Sequence, residues 1–430
     1  MANAQIYRRM VEFRRDLHMY PETGWTEFRT TAVIAAALGC AGYEPVYGGD
    51  FIKPEFVMGR SLDLDRETER AVAQGAEPDL VKRAGRYTGL VAELDTGRPG
   101  PCSALRFDID CVDVEESGDA DRLPVRQGFL SRNRGMMHAC GHDGHAAVGV
   151  ALAEELMKEK ERFCGRVRFI FQPAEEGVRG AYAMTKSGAV DKVDNFIAMH
   201  LGLGHPTGEV APGVSGFLCT TKFDVDYTGV AAHAGAEPEK GRNALLAAAA
   251  SALSLSALPA RFSGTTRVNV GVLNAGVGRN VIAPNAHIKA ETRGENPELA
   301  REIYNEAVLA VSEAAARYGV KAVVTKEGES ISSESDSGLA EVISQAAGKT
   351  PGVVRVEKTA QMSGSDDACW MMEHVRRQGG RASYVIVGAD TAAGHHNGSF
   401  DFDEDALGIA FDLFWHTLVL LNGTEAAAVR

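Results

Sequence analysis

The segment GHAAVGVALAEELMKEKERFCGRVRFIFQPAEEG, residues 144–177, contains in succession a helical pattern, an apolar run and a polar turn. Apolar residues recur at helical spacing from Gly144 to Lys160, and Val167–Phe171 has the length and composition of a buried strand. Similar short apolar runs occur at Gly89–Leu94, Ala104–Ile109, Phe196–Met199 and Ser383–Val387. Strands that alternate with helices form parallel sheets covered on both faces, so the pattern predicts an α/β fold with a largely parallel sheet.

Acidic residues and histidines follow the predicted strands at the point where each strand ends. In chain order they are Asp108 and Asp110, then Glu175 and Glu176, then His200, and finally His395 and His396. Loops at the carboxyl edge of an open α/β sheet diverge and leave a crevice in which active sites form. The sequence therefore predicts that these distant residues meet at one site.

The middle of the chain has a different order of elements. Over residues 217–329 the pattern predicts strand, helix, strand, strand, helix and strand, at Lys222–Tyr227, Asn243–Leu258, Arg267–Leu273, Ala286–Thr292, Pro297–Tyr318 and Lys321–Lys326. This is the order of a ferredoxin-like α+β domain. We therefore predict an inserted domain, residues 217–329, and a catalytic domain made of residues 1–216 and 330–430.

Composition excludes several classes of protein. The chain has 430 residues, 45% of them hydrophobic, and a formal charge of −13, so it can form two or more domains but has no cationic surplus for nucleic acid. The sequence contains no run of about 18 apolar residues, so it predicts no membrane span. The N-terminus is polar and Arg-rich rather than a leader, and the seven cysteines form no paired framework. These features predict a cytoplasmic protein with reduced thiols that acts on small molecules.

One short motif, MHACGHDGH at Met137–His145, indicates a metal centre. It places three histidines, a cysteine and an aspartate in nine residues, ahead of the acidic pair Glu175 and Glu176. Thiolate, imidazole and carboxylate together suit a divalent transition metal, and five or more donors can hold two ions that activate a water molecule as nucleophile. Adjacent side chains diverge, so one glutamate can bind metal while the other acts as general base.

These and further motifs resemble the M20 family of metallopeptidases and amidohydrolases, in the branch of aminoacylases, hippurate hydrolases and indoleacetyl-amino-acid hydrolases. The resemblance covers nearly the whole chain, and it rests on MHACGHDGH, FQPAEEG, Met199-His200, GVAAHAGAEPEKGRNAL, GRNVIAPNAHIKAETRG, GSDDA and GHHNGSFDFDE. It implies that the inserted domain is a lid or dimerisation domain.

The resemblance also implies a set of metal ligands and a catalytic base. The ligands are Cys140, His142, Glu176, His200 and His396, holding two divalent ions, Mn or Zn, with Glu175 as general base. His396 is preferred to His395 because the family follows its histidine with Asn and then an aromatic residue and Asp-Phe, as here in Asn397 and Phe400–Phe402. Asp108, Asp110 and His138, and also His145 and His395, would then support the ligands without binding metal.

In the inserted domain the resemblance implies that His233 holds the scissile carbonyl oxygen, often across a dimer interface. Asn269 and Asn280 match family positions that contact substrate. Arg279, Arg293 and Lys222 are candidate cations for the carboxylates of an acidic leaving group, because guanidinium and ammonium groups pair with carboxylates.

Several functions fit this resemblance. The leading one is hydrolysis of an N-acyl amino acid, namely p-aminobenzoyl-glutamate, since TTKFD, RVNVG, GRNV, ETRG and AAGHHN are most similar to one of the two subunits of an enzyme with that activity. Indoleacetyl-aspartate or a hippurate-like substrate is the alternative within the class. A non-catalytic subunit that binds metal or ligand is the alternative outside it. The assembly is open between a homodimer and a hetero-oligomer with a homologous second subunit.

Overall fold

The computed structural model describes residues 3–60 and 63–424. Its α-helices are α1 Ala4–Met19, α2 Phe28–Ala41, α3 Gly48–Phe51, α4 Leu64–Ala73, α5 Pro78–Ala84, α6 Leu123–Gln127, α7 His142–Lys158, α8 Gly180–Lys186, α9 Ala244–Ala257, α10 Pro297–Arg317, α11 Ser337–Ala347, α12 Ala368–Arg377 and α13 Asp405–Asn422.

The strands of the described residues are β1 Val46–Tyr47, β2 Leu90–Asp95, β3 Cys102–Asp108, β4 Arg166–Gln172, β5 Asn195–Leu201, β6 Glu209–Ala211, β7 Val214–Ser215, β8 Cys219–Thr228, β9 Thr266–Ala275, β10 Asn285–Gly294, β11 Lys321–Ser330, β12 Arg355–Val356, β13 Ala360–Gln361 and β14 Arg381–Val387.

The chain divides into two compact units. The first contains residues up to Ser215, Ser333–Met362 and the chain from Asp367 onward, and the second contains Gly216–Ser332 and Ser363–Asp366. The sequence places the ends of the inserted domain at residues 217 and 329, within three residues of the ends of the long segment. It does not predict that residues 363–366 return to the second unit.

The first unit is built on an eight-stranded sheet in the order β1-β2-β4-β3-β5-β14-β6-β12. Its four central strands, β4, β3, β5 and β14, run parallel, and the flanking strands add antiparallel pairs. Every residue of β3 and β5 is buried, because helices cover both faces of the sheet. The prediction of a largely parallel α/β sheet is confirmed.

Helix α7 brings the metal-binding motif to this sheet. It begins at His142, after Gly141 in the left-handed conformation with φ of +88°. Gly149 lets the helix approach the sheet closely, since a Cβ there would come within 2.7 Å of the Phe107 ring. The first turn of α7 therefore lies at the carboxyl edge, where β3, β4 and β5 end.

The second unit has a four-stranded antiparallel sheet in the order β11-β8-β10-β9, with helices α9 and α10 packed on it. Its core includes Phe223, Val225, Tyr227, Ile288 and Val311. The element order β8-α9-β9-β10-α10-β11 is the predicted ferredoxin-like order.

One segment of the described residues meets a simple criterion for a membrane-spanning helix. Ala244–Arg261, which is α9 and the 3-10 turn after it, is long and apolar enough by length and composition to cross one, with a mean hydropathy of 1.4. Leucines and alanines account for this mean hydropathy, and serines between them interrupt the apolar run. Ala247, Ala248 and Leu255 are buried in the core of the second unit, and such core helices often meet the same criterion.

Candidate metal centre

The carboxyl edge of the large sheet gathers the predicted ligands of the first unit. His200 lies near the end of β5, Glu176 on the turn after β4, and Cys140 and His142 at the start of α7. The Cys140 Sγ atom is 3.4 Å from His200 Nε2, and His142 Nε2 is 3.9 Å from a Glu176 carboxylate oxygen. Residues far apart in the chain thus meet at one point, because parallel strands end at the same edge.

The donor atoms of this cluster fit a divalent cation. Cys140, His142 and Glu176 each place one potential ligand atom within 4.8 Å of the others. Within the described ranges, His142 Nε2 and Glu176 Oε1 are buried and have no hydrogen-bond partner. Buried polar atoms are almost always paired, so two unpaired atoms beside a thiol indicate a site shaped for a metal ion.

Hydrogen bonds fix which nitrogen of each histidine has a free lone pair. His200 Nδ1 donates to the Leu201 carbonyl at 2.8 Å, and His142 Nδ1 donates to the Asp110 carbonyl at 2.9 Å. In each neutral ring the other nitrogen, Nε2, is then unprotonated and faces the cluster. Both rings are oriented as metal-binding histidines are, with a carbonyl holding the proton on the far nitrogen.

His145 has the opposite arrangement. Its Nε2 accepts the Leu201 backbone N–H at 3.0 Å, and its Nδ1 donates to Asp108. Both nitrogens are therefore engaged, and the ring has no lone pair for a metal. The buried Arg106 guanidinium pairs with the other oxygen of Asp108 at 2.6 Å, so this carboxylate is held from two sides.

The adjacent His395 and His396 differ in what they face. His395 Nε2 accepts the Leu203 backbone N–H at 3.2 Å, which leaves Nδ1–H directed at Cys140 Sγ, 3.5 Å away. His396 is in the left-handed conformation, with φ of +61°, and its Nε2 lies 3.1 Å from Glu176. The sequence gives no signal that His395 contacts the cysteine.

The electrostatics of the cluster favour a bound cation. Burial and the nearby charges of Glu176 and Glu175 raise the pKa of the Cys140 thiol well above its usual value. Burial alone would lower the pKa of His142, but the charge of Asp108 and the hydrogen bond to Asp110 raise it to about 10. Without a metal ion the carboxylates thus make protons hard to remove, and a divalent cation supplies the missing positive charge.

Glu175 is nearly buried, with 9% of its surface exposed, on the turn that follows β4. The next residue, Glu176, donates its backbone N–H to Asp110 Oδ2 at 3.0 Å. Asp110 therefore contacts both His142 and the turn that carries the two glutamates. His138 is also buried; burial lowers its pKa to about 4, and neither ring nitrogen has a partner among residues 3–60 and 63–424.

In the second unit, His233 is exposed, and its Nδ1 accepts the backbone N–H groups of Gly235 and Ala236 at 3.2 and 3.1 Å. Its proton is therefore on Nε2, where it can be donated to an oxygen. Lys222 and Arg293 both pair with Glu291, at 3.3 and 2.9 Å. The sequence did not predict that these two cations share a carboxylate.

The other candidate substrate contacts of the second unit are exposed. They are Arg279, Asn280 and Asn269, the last of which lies on β9. Arg279 and Asn280 lie on the segment before β10, and the Asn280 carbonyl accepts the Ala234 backbone N–H at 3.0 Å. Asn280 is thereby tied to the loop that carries His233.

Comparisons with known proteins identify the family of this chain. The family model described as peptidase family M20/M25/M40 matches residues 104–419. The chain belongs to this family. The M20 chain is 46% identical to the indole-3-acetyl-aspartic acid hydrolase of Enterobacter agglomerans over 412 residues, covering 95% of this chain and 94% of that protein. It is also 46% identical to one subunit of the p-aminobenzoyl-glutamate hydrolase of Escherichia coli over 416 residues, covering 95% of each.

A solved structure extends this similarity to the fold. The aminobenzoyl-glutamate utilization protein of Klebsiella pneumoniae superposes with a TM-score of 0.81 at 38% identity, over 97% of this chain and 96% of that one. The M20 chain is a metal-dependent amidohydrolase that binds divalent metal, and the alternative of a non-catalytic protein is not favoured.

Proposed function

We propose that this M20 enzyme hydrolyses the amide bond between an aromatic acyl group and an acidic amino acid, with p-aminobenzoyl-glutamate as the first candidate. Two relatives that are each 46% identical to this chain support this class of substrate, since one is named for a glutamate conjugate and the other for an aspartate conjugate. Indoleacetyl-aspartate is the second candidate for the same reason. A hippurate-like substrate has less support, because it lacks the second carboxylate.

The proposed ligands of two ions, Mn or Zn, are Cys140, His142, Glu176, His200 and His396. The observation that carries this proposal is the direction of the Nε2 lone pairs of His142 and His200, both fixed by backbone carbonyls. When bound, the ions supply Lewis acidity toward the scissile carbonyl and make water more acidic. His145 and His395 support the site, since each ring accepts a backbone N–H on one nitrogen.

Glu175 is the proposed general base. It adjoins the ligand Glu176, so its carboxylate can take a proton from water attacking the carbonyl carbon and deliver it to the leaving nitrogen of the amino acid. The products are then p-aminobenzoate and glutamate, or the corresponding acid and aspartate.

The second unit would supply contacts to the substrate. His233 carries its proton on Nε2 and can donate it to the developing oxyanion. Arg279, with Lys222 and Arg293 beside Glu291, is proposed to pair with the side-chain carboxylate of the leaving amino acid, and Asn269 and Asn280 to hydrogen-bond to it. We propose a cytoplasmic enzyme that acts as a homodimer or with a homologous second subunit. The second possibility is supported by the E. coli relative, which is named as a subunit of its enzyme.

The test uses the full chain, stripped of metal and reloaded with Mn or Zn. Release of the aromatic acid is followed for p-aminobenzoyl-glutamate, indoleacetyl-aspartate and hippurate, and metal content is measured for each preparation. Glu175→Gln is expected to lower kcat by at least about 10³-fold while both ions stay bound. Glu161→Gln, at an exposed glutamate that pairs with Arg98, is the matched control and keeps full activity.

Each result has a distinct meaning. Metal-dependent turnover of one acidic conjugate establishes the substrate class, and faster turnover of hippurate contradicts it. A Glu175→Gln variant that remains active removes that residue from the role of base. If the loaded chain is inactive by itself but active with a homologous second subunit, the hetero-oligomer is correct and the homodimer is not.

A further inference from the structure

The turn that carries Glu175 contains two residues in an unfavourable backbone conformation. Ala174 has φ of +54° and Val178 has φ of +53°, both in the left-handed region that non-glycine residues rarely adopt. Such conformations persist only where surrounding contacts hold them. The direction of Glu175 therefore depends on whatever fixes Ala174.

A buried carboxyl group from a distant segment makes that contact. Glu27 is completely buried, and its Oε1 accepts the Ala174 backbone N–H at 2.8 Å. Its other oxygen bonds to the Thr88 hydroxyl group. Asp110 accepts the Glu176 N–H on the other side, so two carboxyl groups hold the backbone immediately before and immediately after Glu175.

The side chain of Glu27 does not cap the helix that it precedes. It is the N-cap residue of α2, yet its side chain makes no capping hydrogen bond to that helix. The residues before Glu27 pack closely against the turn. Trp25 has φ of +68°, and a Cβ at Gly24 would lie 3.0 Å from the Ala174 Cα. Burying a carboxyl group is costly unless its hydrogen bonds are satisfied, and here they are satisfied by the turn and by Thr88.

We propose that Glu27 is a positioning residue for catalysis, which holds Ala174 in the left-handed conformation and thereby directs Glu175 at its reaction partner. The proposal rests on the proposed function only in that Glu175 is the general base. It predicts an effect on kcat through the backbone of the turn, without loss of metal and with little change in KM.

A neighbouring glutamate provides a matched control. Glu22 is also completely buried, and it also accepts two hydrogen bonds, but from the backbone N–H groups of Arg29 and Thr30 at the start of α2. Both of its backbone donors thus lie outside the turn. Replacing it removes a buried carboxyl group from the same segment and so measures the effect of losing one that has no hydrogen bond to the turn.

The experiment compares Glu27→Ala, Glu27→Asp, Glu27→Gln and Glu22→Ala in the metal-loaded full chain. Removing the contact, by Ala or by the shorter Asp, is expected to lower kcat by about 100-fold, because small misplacements of a catalytic group cost about that much. Glu27→Gln keeps an oxygen for Ala174 and an amide donor for Thr88, and its kcat stays within about tenfold of the original. Glu22→Ala lowers Tm and leaves kcat within about threefold.

Two further measurements separate positioning from general damage. Ala174→Gly in the Glu27→Ala background is expected to restore kcat by about tenfold, because glycine adopts the left-handed conformation without strain. Hydrogen exchange of the peptide that contains Ala174–Val178 is expected to accelerate in Glu27→Ala and not in Glu22→Ala. This readout is independent of activity and needs no metal.

The proposal is overturned if Glu27→Ala and Glu27→Asp keep kcat, if Glu22→Ala lowers kcat as much as they do, or if exchange in the turn is unchanged. Loss of metal in these variants would also overturn it, since the effect would then act on the ligands. Glu175→Gln is measured in parallel. An active Glu175→Gln contradicts the proposed base, whereas an inactive one with an active Glu27→Ala contradicts only the positioning role.

Discussion

At the metal centre, the partner of one ring nitrogen decides what the other nitrogen of a histidine can do. Backbone carbonyls accept the Nδ1–H groups of His142 and His200, so the Nε2 atoms of these rings can bind metal. In His145 and His395, by contrast, Nε2 accepts a backbone N–H and has no lone pair left for a metal. His395 then presents an N–H to Cys140 Sγ. Such a donor stabilises a thiolate without competing for the metal.

This arrangement predicts different outcomes at the two adjacent histidines. His396→Ala is expected to lower bound metal from two ions toward one, because a ligand is lost. His395→Phe keeps both ions but shifts the thiolate-to-cobalt absorption band of the Co(II)-loaded enzyme, because Cys140 loses a hydrogen-bond donor. Metal content and visible absorption measure the two effects. Loss of an ion only in the His395 variant would reverse the assignment.

Glu22 is predicted to make stability depend on pH. Burial raises its pKa to about 7, so the folded chain binds this proton more tightly than the unfolded chain, in which the pKa is about 4.5. The free energy of unfolding therefore falls as pH rises through this window. In Glu22→Gln the group does not titrate, so Tm of the variant minus Tm of the original is expected to increase between pH 5 and pH 7.5. Calorimetry at each pH measures both Tm values. A difference in Tm that stays constant with pH would contradict the prediction.

Among the elements, α1 is tied to the metal-binding region by buried polar side chains, Arg14 and His18, which both contact Asp143. Arg14 is fully buried and lies 2.9 Å from Asp143, 2.5 Å from Asp401 and 3.1 Å from Glu404. Its guanidinium also lies 4.5 Å from the centre of the Phe402 ring. These carboxylates belong to the start of α7 and to the segment before α13, so a single side chain joins three elements.

Removing this arginine is expected to destabilise the chain strongly. Arg14→Met removes a buried counter-charge from Asp143, Asp401 and Glu404 and should lower the free energy of unfolding by about 3–5 kcal/mol. Of these carboxylates, Asp143 keeps His18 and Glu404 keeps Arg15. The control is Arg9→Ala on the same helix, where an exposed arginine pairs with Glu154 at 3.0 Å and a loss of at most about 1 kcal/mol is expected. Urea unfolding followed by circular dichroism compares them. Similar losses in both variants would show that α1 is not held by Arg14.

The elements were more predictable than the contacts between their side chains. Buried strands contain short apolar runs, such as Phe196–Met199 in β5, and polar residues follow at the strand ends, so the fold and the position of the candidate site could be predicted from local pattern. Arg14 and Glu27 have no local signal, because their partners Asp143 and Ala174 lie 129 and 147 residues away. Likewise, sequence alone could not show that His395 faces Cys140, since its orientation depends on the Leu203 backbone.

For the molecule as a whole, the division into two units makes a prediction about folding. The long segment of the second unit, Gly216–Ser332, contains all four strands of its sheet and both of the helices packed on it. Its own core includes Phe223, Val225, Tyr227 and Ile288. A segment with a complete sheet and a hydrophobic core of its own meets the usual conditions for folding independently.

Residues 216–332 expressed separately are therefore expected to unfold in one cooperative transition, with a urea m-value of about 1–3 kcal/mol/M. Ile288→Asp in the same fragment is the control, because a buried charge in the centre of β10 should abolish the transition. Light scattering on the folded fragment measures whether it dimerises. A homodimer that forms through the inserted domain requires that it does. A fragment that is folded and monomeric would favour pairing with a second, homologous subunit, whereas a fragment without a cooperative transition would show that the inserted unit depends on the rest of the chain for its fold.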